Sequence, residues 1–423
     1  MRWKRWVVAG LALCAASPGV AQSGAAARSF PDTRDHILIF TDQLPGAASL
    51  TEAQWRFIAT HYVGTQKELV SWTRHIHTLN PKFITLHYQL AVGAGTSAFI
   101  EGDQWTNDFD LVTTHADWFL RDDSGSRISQ NAYPWKVMDI RFRNGVPQSG
   151  WPDYWVSTAT RRMRANQNDG VFADSATIDI LFGQVTPPYR WFNDITACKN
   201  DWITSLDQYG TYCTNALHAQ PEKFTYLPNL GGLITGWDTT DYGFGDGGMN
   251  EGFALSHSGE YYAPDDWKLQ MNRLLTLNRA GKILICQSYI QDRALDDRWF
   301  VVGSYLLIKG HKTYLNMFAG STLSWYPEYA VALGPYREEP AADVSAYWQA
   351  AWGVYRRDYQ HGFVLVNPSA APVRISALGG TYKLVGTQGG GPVPATGEAP
   401  GTLTTTSVTS VLIPAHSARV LLK

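Results

Sequence analysis

Two short segments place a carboxylate where a buried strand would end. In Asp169-Gly170-Val171-Phe172-Ala173-Asp174-Ser175 an apolar run stops on an acid and then on a small polar residue. In Gly247-Gly248-Met249-Asn250-Glu251-Gly252-Phe253 the acid stands among glycines, which let a ligand or a neighbouring backbone come close. Burying an unpaired carboxylate is costly, so each acid must reach solvent or a partner. The competing readings are structural: a helix N-cap at Asp174, and a capping box or loop salt bridge at Glu251. Two carboxyl groups converging on one pocket are what cleavage of a glycosidic bond requires. One gives a proton to the leaving oxygen, and the other attacks the anomeric carbon or activates a water.

Other polar residues fall at expected strand ends. Asp139, in Val137-Met138-Asp139-Ile140-Arg141, is a third acid there, with Arg141 on the same side of the strand, so an Asp–Arg structural pair competes with a substrate contact. Asp42 ends the first expected strand, although Thr41-Asp42-Gln43 also reads as a turn. His87, Tyr88, Asn229, Gln287 and Asn316 close further strands and are candidates to bind sugar hydroxyls, the 2-OH in particular. Each alone would equally cap a turn. Other chemistries find no pattern. His218, His257 and His311 lack metal-ligand spacing, and neither H-E-x-x-H nor a P-loop occurs. Ser175 and Ser288 lack a nucleophile elbow. The glycines from Gly245 to Gly248 precede a strand rather than a helix, the wrong order for cradling phosphate. No metal and no cofactor is expected.

The elements that must carry these residues alternate. Strands are expected at His36–Thr41, Phe83–Tyr88, Lys136–Ile140, Gly170–Asp174, Phe224–Asn229, Gly248–Phe253, Lys282–Gln287 and Thr313–Phe318, with helical patterns at Glu52–Tyr62, Asp153–Ala165, Asp266–Ala280 and Arg298–Lys309. Alternation of this kind predicts a parallel α/β sheet, and eight strands predict closure into a (β/α)8 TIM barrel over residues 30–341. A doubly wound open sheet alternates as well. Two long stretches, Gly93 to Trp135 and Gly231 to Gly247, follow strand C-termini and should shape a cleft on the catalytic face. From residue 342 to 423 the pattern turns all-β, with alternating runs such as Val354–Tyr359 and Gly362–Val366. This predicts a small sandwich-like domain covering one flank of the barrel.

Composition bounds the reading. The 423-residue chain has a formal charge of −2, so it carries no basic field for nucleic acid or an anionic membrane. Its 17 Trp and 21 Tyr include rings that must pack the core, and a surplus of them would suit stacking on pyranose faces; packing alone is the equal alternative. Residues 1–21 read as a signal peptide: Arg2, Lys4 and Arg5, an apolar stretch from Trp6 to Ala16, then Gly19-Val20-Ala21. Leu13 before Cys14 disfavours a lipoprotein signal. A periplasmic or extracellular monomer without a membrane anchor is expected. Export permits a disulfide, and Cys198 with Cys213 is the expected pair, leaving Cys286 buried in its strand; three unpaired thiols is the alternative.

Met138-Asp139-Ile140-Arg141, Tyr154-Trp155-Val156, Asp169 through Ser175 and Glu251-Gly252-Phe253 together resemble the glycoside hydrolases termed glycosyl-hydrolase-like family fifteen. Tyr355 to Gly362 and Val366-Asn367-Pro368 are similar to the opening of the β-domain in such proteins, and the resemblance runs from about Ile37 to the C-terminus. It implies hydrolysis of O-glycosidic bonds in an oligo- or polysaccharide, with Asp174 as nucleophile or base and Glu251 as proton donor. A carbohydrate-binding barrel without turnover and a transglycosylase are the competing functions.

Overall fold

The alternation of side chains along each strand explains both the core and the site. In the computed structural model, which describes residues 26–423 apart from 45–48, 96–111, 132, 134, 183–194, 291–293, 319 and 321, eight parallel strands form one sheet. The expected signal peptide lies outside the described residues. The strands are β1 (Ile39–Thr41), β2 (Tyr62–Thr65), β3 (Ile84–Leu90), β4 (Gly170–Asp174), β5 (Thr225–Pro228), β6 (Gly247–Glu251), β7 (Ile283–Tyr289) and β8 (Thr313–Phe318). Their order is β6-β7-β8-β1-β2-β3-β4-β5. A parallel bridge from Asn229 to Met249 and a bond from the Leu230 N–H to the Met249 carbonyl (2.8 Å) join β5 to β6 and close the (β/α)8 barrel.

Inside it, Phe40, Leu86, Phe172, Leu227, Met249, Ile285 and Tyr314 form one buried apolar cluster. Two residues further along each strand, on the same inward face, stand Asp42, Tyr88, Asp174, Asn229, Glu251, Gln287 and Asn316. The apolar cluster is the floor, and the polar ring is the layer above it at the C-terminal ends of the strands.

Outside the strands lie α1 (Glu52–His61), α2 (Val70–Leu79), α3 (Trp151–Asn166), the single turn α4 (Asp179–Phe182), α5 (Ile195–His218), α6 (Pro264–Arg279) and α7 (Leu295–Ile308). A capping box at Thr51 and Gln54 starts α1, and prolines open α3 and α6 at their first turns. After the barrel, β9 (Trp348–Gln349), β10 (Val354–Tyr359), β11 (Gly362–Asn367), β12 (Tyr382–Gln388), β13 (Thr402–Val408) and β14 (Ser417–Leu422) make an antiparallel sheet in the order β9-β10-β11-β14-β12-β13. It packs on α7, which is buried from Arg298 to Ile308. The Arg357 guanidinium of β10 donates to the carbonyls of Leu306, Leu307 and Lys309 (3.1, 2.9 and 2.8 Å), capping the C-terminus of that helix.

Three expectations need correction. Tyr62, read as the end of the helix from Glu52, instead opens the second barrel strand, Tyr62–Thr65, which was not expected from the sequence. The Tyr62 N–H still bonds the Ile58 carbonyl, but its backbone is already extended, so no loop residue marks the change. Lys136–Ile140 is not a barrel strand. Trp135–Val137 pairs antiparallel with Gly93–Gly95, both within the insertion that follows β3. The count of eight therefore stood on two compensating errors.

The third concerns the cysteines. Cys198 and Cys213 are not joined, and Cys286 is likewise a buried thiol. Both lie on α5, where 15 residues at 1.5 Å rise separate them by about 22 Å, far beyond the reach of a disulfide.

Candidate active site

Each acid is set by how its strand ends. Asp174 closes β4, and the next residue, Ser175, has φ of +63°; Glu251 closes β6, and Gly252 follows with φ of +84°. A left-handed residue turns the chain sharply off the strand, so each carboxylate projects at the rim instead of continuing into a loop. Glycine adopts that conformation freely, whereas at Ser175 it carries strain of about 1 kcal/mol or more.

The two acids share a donor. Asn229 Nδ2 lies 2.9 Å from Asp174 Oδ1 and 2.6 Å from Glu251 Oε2, so those oxygens are at most about 5.5 Å apart, within the span of a glycosidase pair. The Asn229 carbonyl oxygen is fixed by the Gly231 N–H at 3.0 Å, which holds the amide in the orientation that presents its NH2 to both acids. Tyr88 donates its hydroxyl to Asp174 Oδ2 (2.8 Å). The Tyr289 hydroxyl donates to Glu251 Oε1, and His257 Nε2 stands 3.5 Å from the same oxygen.

Charge in the site is balanced at close quarters. Lys67, just past β2, reaches Asp42 Oδ2 at 3.1 Å, and Gln66 donates to Asp42 Oδ1 at 2.9 Å. Burial alone would lower the Lys67 pKa, but Asp42, Asp174 and Glu251 outweigh it and hold the ammonium above its ordinary pKa. Burial raises the Asp42 carboxyl against the pull of Lys67. Burial would also raise Glu251, yet the His257 hydrogen bond, the Lys67 charge and the Tyr289 hydroxyl leave it below the usual carboxylate value. His257 is raised by Glu251. Burial, with the neighbouring carboxylates, pushes Tyr88 and Tyr289 up, so both keep their protons and act as donors.

Around these groups opens a cleft of about 510 Å³, lined among others by Lys67, Tyr88, Asp174, Asn229, Glu251 and His257. Gln130, Tyr133 and Trp135 of the insertion form another part of its wall, and Asp179 of α4 a further part. Among the described residues, no group of three or more His, Cys, Asp or Glu is placed to hold a metal ion.

The remaining expected site residues divide. Gln287 and Asn316 sit in the inward ring but are buried beneath the cleft. Asn316 donates to Gln287 Oε1 (2.9 Å) and Gln287 to the Tyr289 hydroxyl (3.1 Å), so both reach Glu251 through Tyr289. His87 falls on the opposite face of β3 from Tyr88, buried beside Gln89, which itself donates to the Trp155 carbonyl of α3. Alternation along a strand sends neighbours to opposite sides, so His87 and Tyr88 could not both face the pocket. Asp139 and Arg141 form a bidentate pair within the insertion (2.8 and 2.7 Å) and do not line the cleft. Lys67, Asp179, His257 and Tyr289 were not anticipated as site residues. A lysine just after a β-rich Tyr62-Val63-Gly64-Thr65 run is the signal that would have found the first.

A family model described as hypothetical glycosyl hydrolase family 15 matches residues 77–363, more than half of the chain. Comparison with curated proteins finds no match. Among solved structures, the glycoside hydrolase domain of PelA from Pseudomonas aeruginosa is 13% identical, with 68% of this chain and 96% of that one covered at a TM-score of 0.43. A GH30 endoxylanase from Clostridium papyrosolvens C71 is 10% identical, with 92% and 97% covered at 0.39. Likenesses this weak say nothing about chemistry.

Proposed function

The chain belongs to the hypothetical glycosyl hydrolase family 15, a hydrolase of glycosidic bonds by that membership, and from this premise we propose that Asp174 and Glu251 cleave an O-glycosidic bond of an oligo- or polysaccharide with retention of anomeric configuration. The observation that carries this reading is the amide of Asn229, which contacts both carboxylates at once. Inverting pairs stand roughly 6.5–9.5 Å apart to admit a water, and retaining pairs about 5–5.5 Å. A donor shared by Asp174 Oδ1 and Glu251 Oε2 keeps those two oxygens within about 5.5 Å of each other, which supports the shorter span.

Asp174, steadied by Tyr88 and Asn229, attacks the anomeric carbon while the bond to the leaving oxygen breaks. Glu251 gives that oxygen its proton. Water then loses a proton to Glu251, attacks the same carbon and releases Asp174. Lys67 lies beside the pair, where its ammonium can bind ring hydroxyls, and buried Asp42 holds that ammonium in place from below the cleft. Tyr133 and Trp135 offer faces on which a pyranose can stack.

The protein is exported on the signal peptide of residues 1–21 and works outside the cytoplasm as a monomer; residues 30–341 are the catalytic barrel and 342–423 its β-domain. No helix among the described residues is long and apolar enough to cross a membrane.

Reducing ends released from a panel of polysaccharides test the pair. Wild type should cleave at least one. Asp174→Asn and Glu251→Gln should each lose about 10³-fold or more, ~4 kcal/mol in the barrier, with the fold intact. A variant that keeps more than about a tenth of the rate, ~1.4 kcal/mol, would remove its residue from the pair.

A further inference from the structure

Proton donation by Glu251 poses a difficulty that the structure also answers. A donor must hold a proton before the bond breaks, and this carboxyl accepts hydrogen bonds from Asn229 and Tyr289 and has the His257 ring 3.5 Å away, with Lys67 nearby. All four neighbours favour the anion.

We infer that His257 is the proton relay of the site: Glu251 and His257 hold one proton between them, and it passes from imidazolium to carboxyl to the leaving oxygen. The inference rests on the assignment of Glu251 as donor. His257 Nε2 is 3.5 Å from Glu251 Oε1, and the ring stacks on Tyr289 with centroids 5.2 Å apart and planes at 29°, which restricts its rotation. More than half of the His257 side chain is exposed, against 18% for Glu251, so the imidazole exchanges protons with water where the carboxyl is shielded.

Its loop is built to hold that place. Ala254 has φ of +60°, Ser256 N–H bonds the Glu260 carbonyl at 2.8 Å, and Ser256 Oγ accepts from the Glu260 N–H at 3.0 Å. The charged and titratable groups facing His257 are Glu251 of β6, Asp179 of α4 and Tyr289 of β7; Glu260 on its own loop is turned to Ser258.

The proton count closes. In the resting pair the ring carries the proton and Glu251 is anionic. Transfer across the contact gives a neutral acid and a neutral ring, and the acid's proton goes to the glycosidic oxygen as its bond to carbon breaks. In the second step water's proton returns by the same route as its oxygen bonds the anomeric carbon and Asp174 leaves. His257 acts through Glu251, so it is a positioning residue for the proton.

Two readouts on the full-length protein test this. First, ¹⁵N-histidine labelling follows the titration of His257, identified by the signal lost in His257→Gln. The ring should titrate above ~6.5 in wild type and about one pH unit or more lower in Glu251→Gln, because the stabilising anion is gone. Equal titration in both would overturn the relay. Second, on a polysaccharide that wild type cleaves, the alkaline limb of kcat/KM should move to lower pH by about one unit or more in His257→Gln, since Glu251 must then keep its proton alone beside Lys67. An unchanged limb would overturn the relay while leaving the carboxylate pair standing. If Glu251→Gln retains wild-type activity, the donor assignment itself fails, and the relay with it.

Discussion

At the scale of single residues the site is organised by one neutral side chain. Asn229 is the only residue described that bonds both acids, and its own carbonyl is pinned by the Gly231 N–H. Asn229→Ala should leave both carboxylates in place but unsteadied, and lower kcat/KM by about 10–100-fold, ~1.4–2.8 kcal/mol, on a cleaved polysaccharide. A loss below about threefold would make the shared amide incidental.

Asp174, Glu251, Asn229, Tyr88 and Asp42 were legible in the sequence because each follows an apolar residue by two positions at a strand end. The residues that were missed break that rule for separable reasons. Tyr289 lies two residues beyond the expected end of its strand, at Gln287. His257 sits on a loop and was judged only for metal spacing, although a histidine can serve a carboxylate. Lys67 follows a strand not expected from the sequence, and no inspection of charge alone would set it beside Asp42. Gln287 and Asn316 were found for their position, yet they support Tyr289 from below.

At the scale of elements, periodicity was a good guide where an element had flanking turns and a poor one where it had none. The passage from α1 to β2 spends no residue on a loop, so Tyr62 and Val63 look like the last apolar face of a helix. The insertion strand at Trp135–Val137 has the apolar character of a barrel strand, but a run of buried residues says nothing about its partner. Packing around β2 is tight enough to test its place. A Cβ on Gly64 would stand 2.3 Å from the Phe40 ring and 2.7 Å from the Ile84 carbonyl oxygen, in the barrel wall. Gly64→Val should therefore destabilise by roughly 1–3 kcal/mol, read as a lower urea midpoint at unchanged slope. A midpoint at or above that of wild type would mean that the strand is not where the register puts it. The same logic applies to α5. Thiol labelling of the unfolded, unreduced mature protein should find Cys198, Cys213 and Cys286 all reactive, whereas a single labelled cysteine would restore the disulfide.

Across the whole molecule, barrel and C-terminal sheet share α7. The helix has no solvent face from Arg298 onward, because β11 and β14 cover the side turned away from the barrel. Arg357 and the Tyr359 hydroxyl both bond the Leu306 carbonyl, so the sheet satisfies the helix end that the barrel leaves open. Arg357→Met should cost about 2–4 kcal/mol of unfolding free energy through three uncapped buried carbonyls. A change under about 0.5 kcal/mol would show the cap to be dispensable. The barrel then presents the acids at one rim, with Gln130, Tyr133 and Trp135 forming part of the cleft wall. All of this serves one claim: Asp174 and Glu251 flank a single glycosidic bond at the span of a retaining pair. The direct measurement is ¹H NMR of the first sugar anomer released from a cleaved polysaccharide, recorded before mutarotation. The account predicts that the new reducing end has the configuration of the bond that was cut, and the opposite anomer appearing first would contradict it.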